Sequence, residues 1–384
     1  MAARRRLRHS RAAVLWALAW FVGLDGLAVL ATFRWFGELR DPQYGCKAEK
    51  LARVLGRPGA RPFTVVMLGS SRTEFGLDAG RLEHVVAQSE AVPQRARSLW
   101  HGLRPCHNLV VFNFGLPGGG PITELLTLRR LLAEGKRPDH LLVEVMPAYL
   151  AGQRGAAQET QWLAPTRLRW DELDLVQHYG IPKEATREVL TRAALVPAYA
   201  YRFNILSRWA PRLLPLSLRM SGKPDTDASG SMKPFTNSVS AADRRRGVER
   251  TRRGYETFLH GFRVGGPSCR ALRDLLAVCR AEGIPATLVL MPEATVFQGW
   301  YPPGAWGQIE AFLDGLRVEF RVPVVSARDW VPDEGFSDGH HLLPDGAALF
   351  SERLGREVVG PILSRRARAR SPEGRTASVT RRDQ

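Results

Sequence analysis

The sequence predicts an α/β fold built on a doubly wound parallel sheet. Three observations point there. Five short apolar runs have the length of buried strands: Phe63 to Leu68, Leu109 to Phe114, Leu141 to Met146, Ala286 to Met291 and Pro323 to Ser326. Helical patterns separate them, as parallel pairing requires of its crossovers. The runs are nearly continuously apolar rather than alternating, which is the signature of strands covered on both faces.

The chain has 384 residues, 44% apolar and 24% charged, enough for one large domain with insertions. Five arginines fall within residues 1–11. An apolar run from Ala12 to Phe33 follows, broken only by Asp25. Its 22 residues suffice to span a bilayer, and one central aspartate costs about 3 kcal/mol, which the flanking apolar side chains offset. No small-x-small cleavage site follows, so the run reads as a signal anchor at 12–33 rather than a cleaved leader. The basic flank keeps residues 1–11 in the cytoplasm and puts the body of this single-pass chain across the membrane. Residues 34–61 read as a connector.

The α/β domain then spans 62–360. Helices are expected over Asp78–Gln88, Thr123–Glu134, Pro267–Glu282 and Pro303–Phe320, and from Pro344 or Asp345 to Val358, each with apolar residues at helical spacing. An insertion at about 150–262 interrupts the sheet after the third strand, with a helix expected at Lys183–Leu195. Its length and position suit a lid or groove over a site. Its aromatics, Trp162, Trp170, Tyr179, Tyr199, Tyr201 and Trp209, read either as a small local core or as a sugar-stacking platform. Residues 365–384 read as a basic disordered tail.

The net charge of +17 does not argue for nucleic acid. It is concentrated at the ends and in the cluster Arg244, Arg245, Arg246, Arg250, Arg252 and Arg253, with no interleaved aromatics for stacking bases. The four cysteines show no metal-ligand spacing. Cys269 and Cys279 sit on one helix about 15 Å apart, beyond bonding reach, which leaves Cys46 with Cys106 as the only disulfide to consider.

Chemistry concentrates at strand ends, where open α/β sheets build their sites. The first strand stops at Gly69 and presents Ser70, Ser71, Arg72, Thr73 and Glu74. Two readings compete: serines capping the next helix, or a nucleophile delivered at the strand end. A nucleophilic serine needs a base and a group to orient it. Asp338 and His341, three apart before the closing helix, supply both, with His340 as the rival base. Ser71 N–H and Gly115, at the end of the second strand, are the oxyanion donors to expect, while Asn113 points away and reads as structural. Glu144 and Glu293, at the ends of strands three and four, are candidates to hold a substrate hydroxyl, to pair with Arg72, or to act as an acid/base couple.

Gly69-Ser70-Ser71, Asn113-Phe114-Gly115 and Asp338-x-x-His341, in that order, resemble the SGNH (GDSL-type) hydrolase superfamily. The likeness is greatest to its membrane-anchored envelope branch, relatives of proteins serving alginate O-acetylation and teichoic-acid D-alanylation. It covers roughly 62–148 and 265–360. It implies a three-layer, flavodoxin-like α/β/α domain with Ser71 as nucleophile, Asp338 and His341 as its catalytic partners, and Gly115 as second oxyanion donor. Arg72, Glu144, Glu293 and His340 are then substrate-binding candidates. The family's third block supplies an asparagine, whereas here the position reads Val143-Glu144-Val145-Met146-Pro147. The implied function is a serine esterase or O-acyltransferase acting on acyl esters, foremost acetyl, of an envelope polysaccharide. It would use no cofactor or metal, and a multispanning partner would deliver the acyl group. The alternative is an inactive scaffold that binds polysaccharide or organises an export complex. A phosphate-binding reading lacks the lysine that such loops place after the glycine-rich turn.

Overall fold

The computed structural model of the chain describes residues 2–30, 32, 37–56, 58, 61–88, 109–215, 225–232 and 236–370. In chain order the elements are α1 (Ala2–Leu30), α2 (Pro42–Leu55), β1 (Phe63–Gly69), α3 (Ser71–Gly76), α4 (Ala79–Gln88), β2 (Leu109–Gly115), α5 (Pro121–Ala133), β3 (His140–Val145) and α6 (Gly152–Thr160). There follow α7 (Lys183–Leu195), α8 (Pro197–Ala200), α9 (Arg202–Trp209), α10 (Ala241–Leu259), α11 (Gly266–Ala281), β4 (Ala286–Leu290), α12 (Ala305–Phe320), β5 (Val324–Ser326), α13 (Pro344–Leu354) and α14 (Gly360–Arg370). The chain divides into two compact units. One comprises Met1–Glu49 and Leu163–Pro224, the other Lys50–Trp162 and Asp225–Gln384.

The second unit holds the sheet. All five strands are parallel, in the order β2-β1-β3-β4-β5. This is one of the two common doubly wound orders, and its switch point falls between β1 and β3. β1 is buried along its whole length because helices cover both of its faces. Phe63, Val65 and Met67 of β1 join Leu82 and Val86 of α4 and Phe350 and Leu354 of α13 in one core, as period-2 alternation demands. On the other side α5 packs on β1 and α11, and α11 on α12.

The α/β class and the strand positions agree with the expectation, and α7 has the expected bounds. Three expectations change. The connector at 34–61 contains α2, which buries Tyr44, Lys47, Leu51 and Val54; their 3-4-3 spacing is a helical stripe. The insertion is not one body, because 163–224 groups with the N-terminal segment and the remainder with the sheet. The basic tail is helical as far as Arg370: Arg366 reaches Asp139 at 3.2 Å and lies 4.3 Å from the Phe63 ring centroid. Residues beyond 370, and Cys106 with its expected pairing, lie outside the described residues. Cys46, Cys269 and Cys279 are buried free thiols, and burial pushes the last two up to about 11 and about 12.

In the first unit, α1 contains a run, Arg11–Leu30, long and apolar enough to cross a membrane. The segment after it is tied down by Arg167 to Asp41 at 3.0 Å and by Arg40 to the Leu168 carbonyl at 2.6 Å. Tyr179 and Tyr201 are buried in this unit, as a local core requires. Trp170, Tyr199 and Trp209 stay exposed there, as does Trp162 in the sheet unit.

Candidate active site

β1 ends in a turn that aims Ser71 out of the sheet. Ser70 caps α3, its hydroxyl accepting from Arg72 N–H at 3.0 Å, so Ser71 is the first helical residue. The helix-cap reading therefore holds for Ser70, and Ser71 stands one residue inside the helix. Ser71 Oγ lies 2.8 Å from His341 Nε2, and His341 Nδ1 lies 2.7 Å from Asp338 Oδ2. An ionised Asp338 keeps the proton on Nδ1, leaving Nε2 to accept from the serine hydroxyl. The other oxygen of Asp338 accepts from the His341 and His340 amides at 2.9 and 3.2 Å, which fixes the loop Ser337–His341. Burial alone would raise the Asp338 carboxyl; the two imidazoles beside it outweigh that and hold it far below the usual carboxylate range.

The rival base is placed otherwise. His340 is buried, stacked on Phe297 at 5.5 Å and edge-on to Tyr255 at 5.3 Å. Burial, then the neighbouring His341, pulls its imidazole down to about 4. Asp338, His340 and His341 also bring three potential metal-ligating atoms within 4.8 Å of one another. Both oxygens of Asp338 are already engaged as described.

The four substrate-binding candidates need correction. Arg72, Glu144, Glu293 and His340 are all buried rather than open to solvent. Arg72 pairs with Glu293 at 3.3 Å and donates to the Met291 and Pro292 carbonyls at 3.1 and 2.8 Å. Glu293 is shared with Arg328 at 2.8 Å and accepts from the Tyr301 hydroxyl at 3.0 Å. Glu144 does not pair with Arg72. It accepts from Ser70 N–H and Ser70 Oγ, both at 2.8 Å, and from Thr73 N–H at 3.2 Å and Thr73 Oγ1 at 2.6 Å. It therefore grips the Ser70–Thr73 turn from both sides of Ser71. Gly69 allows this approach, since a methyl group there would collide with the Glu144 carboxylate and the Thr73 side chain.

The expected second oxyanion donor is also occupied. Gly115 N–H donates to Asn113 Oδ1 at 3.0 Å, a local side-chain turn of the kind asparagine makes at strand ends. Asn113 Nδ2 caps the carbonyls of Thr73, Glu74 and Leu77 at 2.9 to 3.2 Å, which is the structural role expected of it. Gly115 must be glycine for packing: a Cβ would press into the Ser70 carbonyl and the Glu74 backbone. Ser71 N–H has no backbone acceptor among the described residues.

A cleft of about 420 Å³ opens beside His341, lined also by Phe75, Glu74, Asp227, Met232 and Leu342 among others. One wall is segment 225–232, whose Ser229 carbonyl accepts from Asn113 N–H at 2.8 Å and whose Ser231 Oγ donates to the Leu77 carbonyl at 3.1 Å. Its Asp227 organises Ser229 and Ser231 through three hydrogen bonds. A larger cavity, about 750 Å³, sits at the amino ends of the strands around His140 and Arg321 and touches none of the triad.

Sequence reasoning missed the grip of Glu144 on the turn, although a lone acid inside an apolar strand was the available signal. It also missed two neighbouring buried acids. Burial, then the charges of Glu144 and Glu159, raises Glu124 well above the usual range, and burial raises Glu159 to about 7.

The fold and site together define an α/β protein with a Ser–His–Asp constellation at the carboxyl edge of a five-stranded parallel sheet. No protein-family model matches the chain, and no curated protein matches it in sequence.

Proposed function

We propose that the chain is a membrane-anchored, SGNH-like serine esterase or O-acyltransferase of the cell envelope, acting on acyl esters, foremost acetyl, of a polysaccharide. The observation that carries this is the continuous Ser71–His341–Asp338 hydrogen-bond chain, 2.8 and 2.7 Å between its heavy atoms. Ser71 Oγ attacks the acyl carbonyl while His341 Nε2 takes its proton. Asp338 stabilises the imidazolium, and Ser71 N–H meets the developing oxyanion. The tetrahedral species collapses, the alkoxide of the donor leaves, and His341 returns the proton to it. Water, or a sugar hydroxyl, then gives its proton to His341 and attacks the acyl-serine; the second tetrahedral species collapses as His341 returns that proton to Ser71 Oγ, releasing the acid or the acylated sugar. The helix Arg11–Leu30 is read as the single-pass anchor in the inner membrane, with residues 1–11 cytoplasmic and the catalytic unit periplasmic. A multispanning partner would hand over the acyl group.

The inactive-scaffold reading is favoured by one observation, the engagement of Gly115 N–H by Asn113. A fluorophosphonate probe separates the two. The esterase reading expects labelling of the wild type that is lost in Ser71→Ala and reduced in His341→Ala but not in His340→Asn. An unlabelled wild type leaves the scaffold.

A further inference from the structure

We propose that α7–α9 and the turn after them form a membrane-docking face that lies in the lipid headgroup layer where α1 leaves the bilayer. This rests on reading Arg11–Leu30 as a membrane span and is independent of the esterase reading.

The face is built from large apolar side chains that the fold leaves outside. Leu195 is 65% exposed, Tyr199 67%, Trp209 58% and Leu213 74%. A surface meeting only water does not usually gather so many in one short run. Arginines are interleaved with them. The Arg202 guanidinium lies 4.1 Å from the Tyr199 ring centroid and 4.4 Å from that of Phe203, and Arg208 lies 5.7 Å from that of Trp209. Aromatic bodies with cationic tips are the chemistry of the membrane–water interface. There the rings sit among the upper acyl chains and the guanidinium reaches lipid phosphate.

Position selects the bilayer as the occupant. Asn204 Nδ2 of α9 donates to the Leu39 carbonyl at 2.7 Å, and Arg208 pairs with Glu38 at 3.3 Å. Glu38 is eight residues beyond Leu30, the end of the apolar helix. Even fully extended, that chain reaches about 28 Å, so α9 cannot leave the neighbourhood of the membrane exit. Moreover, α1 packs against α7 and α8. Within the span only Asp25, Ala28 and Val29, in its last turns, are partly covered. The contact therefore falls at the end of the helix expected to emerge from the lipid. Charge agrees as well, since the Arg202 guanidinium suits the anionic phosphates of a bilayer.

The test uses the full-length chain in vesicles of phosphatidylethanolamine and phosphatidylglycerol. A genetically encoded environment-sensitive fluorophore replaces Tyr199 or Leu213 in turn and, as an aqueous control, Val318 on α12, which is 81% exposed. Lipids carrying a nitroxide near the headgroup quench what lies beside them. The expected result is blue-shifted emission and several-fold stronger quenching at Tyr199 and Leu213 than at Val318. In Arg202→Glu that excess should fall. Equal quenching at all three positions overturns the proposal and leaves the face to a protein partner. An alkaline carbonate wash distinguishes the two readings: release of the chain from the vesicles refutes the span and the docking face together. Retention with control-level quenching refutes the face alone.

Discussion

Replacing Glu144 tests how the nucleophile is held. The carboxylate takes four hydrogen bonds, two from backbone amides and two from hydroxyls, all from Ser70 and Thr73. Glu144→Ala strands the two buried amides, each at about 1–3 kcal/mol, while the hydroxyls can turn to other acceptors. The sum is on the order of 4 kcal/mol, a large share of a domain's stability. Glu144→Gln is milder. Three of the donors converge on Oε2, so a carbonyl oxygen placed there keeps them but exchanges charged bonds for neutral ones at about 1 kcal/mol each. The new NH₂ then faces Ser70 Oγ, which must turn from donor to acceptor. Ser71 lies between the two gripped residues, and a shift of about 1 Å in a reacting atom costs about 10²-fold in rate. Urea unfolding should therefore rank wild type above Gln above Ala. The fluorophosphonate labelling rate of Ser71 should fall about 10-fold in Gln and about 100-fold in Ala wherever the variants remain folded. An alanine variant within about 1 kcal/mol of wild type, labelling at the wild-type rate, would refute the reasoning.

Three other outcomes follow from the same geometry. The His340 imidazole is held at about 4, whereas the unfolded one titrates near ~6.5; the unfolded state therefore takes up the proton first, and stability falls as the pH drops from about 6.5 towards 4. Against His340→Asn, the wild type should lose about 2 kcal/mol more between pH 7 and pH 5, read from urea midpoints at each pH; parallel curves would show that His340 does not titrate this way. Asn113→Ala removes the donor to three carbonyls of the α3 turn and should cost about 2–4 kcal/mol, measured by thermal and urea unfolding, with a change under about 1 kcal/mol counting against its structural role. Arg366→Ala should cost only about 1 kcal/mol, because its pair with Asp139 is partly exposed; a loss above about 3 kcal/mol would mean that α14 matters more to the core than its contacts imply.

Much of the fold was legible because the strands are buried on both faces and read as apolar runs with polar ends. The Ser–His–Asp constellation was legible because Asp338 and His341 are close in sequence and Ser71 follows directly on a strand end. The engagement of the Gly115 amide was not. Asn113 and Gly115 are two apart, and only three-dimensional structure reveals that the side chain folds back onto the glycine amide. Arg72, Glu144 and Glu293 looked available to a substrate because strand ends usually open to solvent. Here Arg72 pairs with Glu293, and Glu144 holds the Ser70–Thr73 turn, all beneath the surface. The helix α2 was hidden by its proline, by Gly45 and by Lys47 on its buried stripe, where an apolar residue would have completed the pattern. The division of the insertion between two units left no compositional mark.

The central claim is that Ser71 forms an acyl-enzyme with His341 as its base. Mixing the protein with p-nitrophenyl acetate, quenching in acid and digesting it for mass spectrometry tests this directly. The account predicts one acetyl group on the peptide containing Ser71, absent in Ser71→Ala and slowed at least about 10³-fold in His341→Ala. Acetylation elsewhere, or none on a folded wild-type chain, would contradict it.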